Sequence, residues 1–231
     1  MSDLLINLLA SVIAGTAVWS AGHLLRRRRL ARERAFFGLA EGATCLLVVS
    51  RHSSSPSELS VHRRDVAALV ELAIIARECG AQADRVGDPP AGEFGRMTEF
   101  CVGGPSGNPR AATHIRTILQ GVTYSSPGAF TVAGADYLRS DDVTYGLLTR
   151  FWGPGGGRPV FLLGGLTAGA NLAAARYLAT RHRELERRYG PDRPFCLVLR
   201  IVEPAAYGTD FLEEVADVTD VAFTSVPAGE G

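Results

Sequence analysis

Two stretches of this chain have the residue types and spacing to hold a ligand against the backbone. Residues 100–110 read Phe-Cys-Val-Gly-Gly-Pro-Ser-Gly-Asn-Pro-Arg, and residues 161–171 read Phe-Leu-Leu-Gly-Gly-Leu-Thr-Ala-Gly-Ala-Asn. In each, an apolar run led by Phe ends in a glycine pair, and a small or polar loop passes through an Asn into an alanine-rich helical pattern. Glycines let a ligand approach the main chain, and the first turn of a helix offers unpaired N–H groups at its positive end. That chemistry suits an anion. Gly103, Gly104, Ser106, Asn108 and Thr113 form one candidate wall, and Gly164, Gly165, Thr167 and Asn171 the other. Arg110 and Arg150 are the candidate countercharges. Neither turn matches G-x-G-x-x-G or G-x-x-x-x-G-K-[ST], so the kind of anion is not written in the motif. The same glycines would also serve plain strand-to-helix packing, with Asn108 as an N-cap.

Other chemistries find less support. All 24 basic residues are arginine, which removes a P-loop lysine and a Schiff-base amine. Candidate acids are Glu93, Glu99, Asp136, Asp141, Asp142 and Glu203, and candidate bases are His52 and His114. A nucleotide glycosidase needs a carboxylate beside the ribose, and Asp136 or Glu203 could supply it. No G-x-S-x-G elbow occurs, so a serine nucleophile has no motif. His52 and His62 lack a metal-ligand spacing, and Cys45, Cys79, Cys101 and Cys196 form no C-x-x-C pair. No metal site is expected, and no catalytic residue is assigned. Three of the cysteines lie in apolar runs, where a free thiol acts as a small core residue.

The elements that must position these residues alternate. Apolar runs at 44–50, 98–103, 158–163 and 194–202 read as strands buried on both faces, and 61–79, 109–119 and 170–189 read as helices. Gly80 closes the first helix, and Gln82–Val86 suits a short edge strand. Residues 129–133 and 143–152 read as strands of a small antiparallel β-insert over one edge. A helical turn near 210–216 and a terminal strand at 218–225 complete the chain. Strands alternating with helices predict an α/β domain with a mainly parallel, Rossmann-like three-layer sheet.

Ahead of it, Leu4–Leu25 carries no Asp, Glu or Arg and would span ~33 Å as a helix, enough for a bilayer core. Arg26–Arg29 follow at once, which predicts a single-pass membrane anchor with the N-terminus outside and the main domain cytoplasmic. The expected organisation is an anchor with its arginine flank at 1–29, a short helical connector at 30–42, and the domain at 43–231. Ser11 and Gly15 could let two such helices approach as a homodimer. Net charge is zero, but six arginines within 26–35 leave the remainder mildly acidic, which argues against nucleic acid as a partner.

Three functions are compatible with these observations. The domain could bind a nucleotide or another anionic small molecule in a sensing or signalling role. It could be a hydrolase or glycosidase that processes such a nucleotide, or a non-catalytic interaction module with a degenerate pocket. The cofactor is unassigned, with a nucleotide possible. The first two readings require an open site between the turns; the third requires the turns to face packed protein.

Overall fold

The computed structural model describes residues 2–52, 54–57, 59–86, 94–126, 128–132 and 134–224, with the backbone alone for 2–14, 17, 84–86 and 126. Among the described residues ten strands and six helices follow in chain order. They begin α1 (Ser2–Phe37), β1 (Thr44–Val49), α2 (Arg63–Glu78), β2 (Gln82–Val86), β3 (Glu99–Val102) and α3 (Pro109–Thr117). The middle holds β4 (Val122–Ser126), β5 (Ala129–Val132), β6 (Ala135–Leu138), β7 (Val143–Gly153) and β8 (Gly156–Gly165). The chain ends with α4 (Ala168–Tyr189), β9 (Phe195–Val202), α5 (Pro204–Tyr207), β10 (Leu212–Asp217) and α6 (Thr219–Ala222).

Seven strands form one sheet in the order β10-β9-β7-β8-β3-β1-β2, and β4-β5-β6 form a second. The continuous apolar runs become central strands because burial on both faces rewards them: all four residues of β3 and the last seven of β8 are buried. On one face α2 and α4 pack with the end of α1 around Leu72, Ile75, Leu178, Phe100 and Phe161. On the other, α3 and the small sheet close over Val48, Cys101, Leu147 and Leu162 through Ile115, Leu119, Phe130 and Val132. Alanines at 170, 173, 174 and 175, all fully buried, let α4 lie close to the sheet.

The mainly parallel, Rossmann-like expectation is corrected. The β2-β1-β3-β8 ladders are parallel, while β8-β7, β7-β9 and β9-β10 are antiparallel. With both ladders of the small sheet also antiparallel, five of the eight ladders are antiparallel and the architecture is a mixed α/β one. The cause is β7. Residues 143–152 are expected in an insert at an edge, yet β7 enters the centre of the sheet through a hairpin to β8 and lies between β8 and β9. The insert is instead β4-β5-β6, which covers a face. Near the C-terminus the expected helix and strand change places: residues 212–217 pair with β9, and 219–222 are helical. Pairing with an edge strand decided this, and the alternating exposure of β10 fits a sheet edge.

The membrane anchor is corrected too. Among the described residues no helix is long and apolar enough to cross a membrane. The first half of the expected span, Leu4–Ala14, belongs to the residues described by backbone alone, and so does Ser11 of the small-residue pair. The helix does not stop at a boundary after Leu25. It runs unbroken through Arg26–Arg29 to Phe37, and its end is part of the domain. Phe36 and Phe37 are fully buried against Phe161, Phe195 and Phe100, so residues expected in a connector are core. The single-pass placement, with its outside N-terminus and cytoplasmic domain, falls with the anchor.

Candidate functional site

Strands β1, β3 and β8 are neighbours and parallel, so their C-terminal ends meet at one edge of the sheet. There the two glycine pairs lie side by side. Gly103 N–H donates to Leu163 O at 2.9 Å, and a Cβ on Gly104 would stand 3.2 Å from Gly165 O. Gly103 has φ +113°, which side chains rarely adopt, and a Cβ there would overlap the Ser50 hydroxyl. The third wall is the loop after β1. Ser50 N–H donates to Val102 O at 3.0 Å and Arg51 N–H to Gly107 O at 2.9 Å, which fixes it beside the first glycine turn.

These loops and the helices they open enclose a cleft of about 460 Å³. It is lined by Ser50, Arg51 and His52 after β1, by His62, Arg64 and Asp65 at the start of α2, and by Gly104, Ser106 and Gly107. Gly165, Thr167, Gly169 and Asn171 line it from the second turn, and Arg139 from the small sheet. The size is within the range of small-molecule sites. Thr167 caps α4 by accepting from Ala170 N–H at 3.1 Å, so that helix opens into the cleft. His62 caps α2, its Nδ1 accepting from Arg64 N–H at 3.1 Å. His52 Nδ1 accepts from Ser54 N–H at 3.2 Å, and the two imidazoles stack with centroids 5.3 Å apart. With both Nδ1 atoms accepting, each neutral ring carries its proton on Nε2.

The cleft is cationic, and two of its cations are unpaired. Elsewhere Arg110, Arg176, Arg188 and Arg200 each sit on a carboxylate. Among the described residues, the guanidinium groups of Arg64 and Arg139 have no hydrogen-bonding or ion-pair partner. Arg64 lies over the first turn of α4, where a Cβ on Gly169 would stand 3.1 Å from its Nη1. A cation against the positive end of a helix is a like-charge arrangement that an anion between them relieves.

Beneath the cations lies a buried polar pair. Asn171, 3 % exposed, accepts from Gly165 N–H at 2.6 Å and donates to Asp65 Oδ1 at 2.8 Å. Because the Gly165 group only donates and the carboxylate only accepts, the amide has one orientation. Burial pushes the Asp65 carboxyl up, opposed by the Asn171 hydrogen bond and by His62 and His52.

The residues expected at a site divide. Gly104, Ser106, Gly165, Thr167 and Asn171 line the cleft. Gly103 and Gly164 shape the turns behind it, the Gly164 carbonyl accepting from Tyr124 Oη at 2.9 Å. Asn108 is spent on the fold: it caps α3 through Arg110 and Ala111 N–H, and its amide donates to Val102 O. Thr113 is exposed and bonds back to Pro109 O. Neither expected countercharge lines the cleft. Arg110 holds Glu99 at 2.7 Å, and Arg150 is fully buried among Phe36, Trp152 and Phe195, donating to the carbonyls of Phe36, Gly190 and Arg193. Arg51, Arg64 and Arg139 stand in their place. Of the candidate acids, Glu99, Asp136, Asp141, Asp142 and Glu203 lie off the cleft lining, and Glu93 falls outside the described residues. Asp65, which sequence reasoning passed over, is the carboxylate that lines it.

One other cluster invites a metal. Ligand atoms of Glu99, Cys101 and His114 lie within 4.8 Å of one another, all buried. Their donors are already engaged. His114 Nε2 is 2.8 Å from Glu99 Oε1, Arg110 forks onto the same carboxylate, and Asn108 Nδ2 donates to the Cys101 sulfur. Burial favours the neutral Glu99 carboxyl, but the bonds from His114 and Arg110 prevail and hold it below the usual range. Burial pushes the Cys101 thiol well up, away from the thiolate a metal needs. The guanidinium already occupies the cation's place, and the cluster reads as structural.

Comparison with protein-family models, with curated proteins and with solved structures found no match for this chain.

Proposed function

We propose that this domain binds a nucleotide or another anionic small molecule in the cleft at the ends of β1, β3 and β8, and serves as a sensing or signalling module. The observation that carries the reading is the pair of uncompensated guanidinium groups, Arg64 and Arg139, facing a cleft into which α4 also opens. Charged groups left unpaired beside a cleft favour a charged occupant, and arginine suits phosphate and carboxylate. Although a Cβ on Gly104 or Gly165 would meet protein, both residues border the cleft, which supports a binding site over a filled pocket.

The test is a thermal-shift screen of the full chain against nucleotides, dinucleotides and inorganic phosphates. A compound at 100 times its dissociation constant adds about 2.7 kcal/mol, on the order of 5–10 °C for a domain of this size. Arg64→Ala combined with Arg139→Ala should abolish the shift while leaving the unliganded melt in place. A flat screen at millimolar concentrations would remove the reading. Product analysis of the positive mixture separates binding from turnover.

A further inference from the structure

The cleft contains a group that an anion alone does not explain. Asp65 is 4 % exposed, lines the cleft, and stands among groups that favour negative charge in a ligand. A carboxylate facing inward there opposes any simple anion. Its Oδ1 is taken by Asn171, and among the described residues no donor reaches Oδ2. Among the described residues the buried polar atoms left without a partner are Thr144 Oγ1 and Arg150 Nε, so Oδ2 is open to the cleft, and an occupant that supplies a donor is favoured at that atom.

The position of Asp65 relative to Arg64 narrows the occupant. The two are consecutive on the first turn of α2, so their side chains leave the helix about 100° apart. Arg64 reaches over the start of α4, while Asp65 turns inward to Asn171. An occupant using both must carry its negative charge on one side and hydrogen-bond donors on another. Inorganic phosphate offers only a P–OH within the same small anion, and it fills only part of about 460 Å³, too little to reach both groups. Hydroxyl groups on a short carbon frame beside a phosphate meet both requirements.

We infer that the cleft takes a phosphorylated polyol, a sugar phosphate or a nucleotide, with its phosphate on Arg64 and Arg139 and a hydroxyl donating to Asp65 Oδ2. This rests on the anion-binding reading above and assigns the second half of that site. The Asn171 amide holds the carboxylate in place, and the acidic group gives selectivity for hydroxyl-bearing phosphates over bare ones.

The experiment is calorimetric titration of the full chain with ribose 5-phosphate, adenosine 5′-monophosphate, propyl phosphate and inorganic pyrophosphate. Ribose 5-phosphate should bind at least tenfold tighter than propyl phosphate, which has the charge without the hydroxyls. Asp65→Asn should weaken ribose 5-phosphate and the nucleotide by about tenfold, yet leave pyrophosphate unchanged or tighter, since a negative charge has been removed. Tighter binding of the nucleotide than of ribose 5-phosphate would identify a nucleotide as the source of the phosphate; equal binding would identify a sugar phosphate. The inference is overturned if propyl phosphate matches ribose 5-phosphate, or if Asp65→Asn shifts the sugar phosphate and pyrophosphate in the same direction. Pyrophosphate binding without any preference for hydroxyls would leave anion binding standing and defeat this inference alone. Silence from all four probes defeats both. The comparison of ribose 5-phosphate with propyl phosphate uses the unaltered protein and holds even if the variant fails to fold.

Discussion

Asn171→Ala should unfasten the cleft, and the bonds it breaks allow the size to be worked out. The amide joins three elements: it sits on α4, accepts from Gly165 N–H at the end of β8, and donates to Asp65 on α2. Alanine leaves a buried N–H without an acceptor and a buried carboxylate without its donor. Each loss costs about 1–3 kcal/mol, with the charged group at the upper end. Together they cost about 3–4 kcal/mol, roughly 6–16 °C in melting temperature for a chain of this length. The deficit should also depend on pH. Burial already raises the Asp65 pKa above the ordinary carboxylate value, and the Asn171 hydrogen bond is the largest influence lowering it. A carboxyl whose folded pKa is raised favours the fold below its unfolded value and loses that contribution as pH rises through the folded one. Removing Asn171 raises the folded pKa further, so the gap between variant and parent should be widest near pH 7 and narrow towards pH 4. Asp65→Asn in the same background removes the stranded charge and should recover part of the loss, a non-additivity that a double-mutant cycle reads directly. Thermal melts of the four proteins at both pH values are the assay. A variant melting within about 2 °C of the parent at pH 7, or a deficit indifferent to pH, would refute the reasoning.

Two further outcomes follow from residues that hold the fold behind the cleft. Arg150→Met should cost about 3 kcal/mol, because the orphaned carbonyls are backbone and cannot be replaced along with their donor; Phe36 O is the most deeply buried of the three. Its melt should fall by roughly 6–12 °C, with faster hydrogen exchange at residues 33–38, where α1 joins the domain. Gly103→Ala should cost about 2–4 kcal/mol from a side chain at φ +113° and its overlap with Ser50; adding Ser50→Gly should restore the steric part and leave the backbone part. Denaturant midpoints of the single and double variants measure both.

What was legible in the sequence was local. The apolar runs became strands within a residue or two, and Gln82–Val86 lies at an edge. The two glycine turns were readable because two close-packed strand ends leave little room for side chains. What failed to show was pairing. Residues 143–153 carry the alternation of a partly exposed strand, and nothing in their own sequence says that β9 rather than solvent lies along the second edge. The same limit hid β10, whose Leu-Glu-Glu-Val reads as helix until β9 is beside it. The cleft's cations were not legible for a related reason: side-chain direction depends on what packs alongside, and Arg110 faces Glu99 while Arg150 lies on β7 among aromatic rings. A usable signal was present. Arg51-His52 leaves one apolar strand and Arg63-Arg64-Asp65 opens the next helix, the same strand-loop-helix order as the glycine turns without the glycines.

The mixed topology leaves the cleft at the ends of the parallel strands, and the connections explain why. In open α/β sheets ligands collect at the C-terminal ends of parallel strands where neighbouring connections depart to opposite faces. β1 and β3 are such neighbours: the chain leaves β1 for α2 on one face of the sheet and β3 for α3 on the other. The divergence opens the gap that Ser50–His52 and Gly104–Gly107 line, and β8, parallel to β3, supplies the third wall and α4. The antiparallel strand β7 enters on the far side of β8 and does not interrupt these three ends. Its approach through the small sheet contributes instead, because the connection from β6 to β7 brings Arg139 to the rim and β4 brings Tyr124 to the Gly164 carbonyl. The cleft therefore depends on three parallel strands and one covering hairpin, and a circular break in the β7–β8 turn at residues 154–155 should leave its charge and its lining intact.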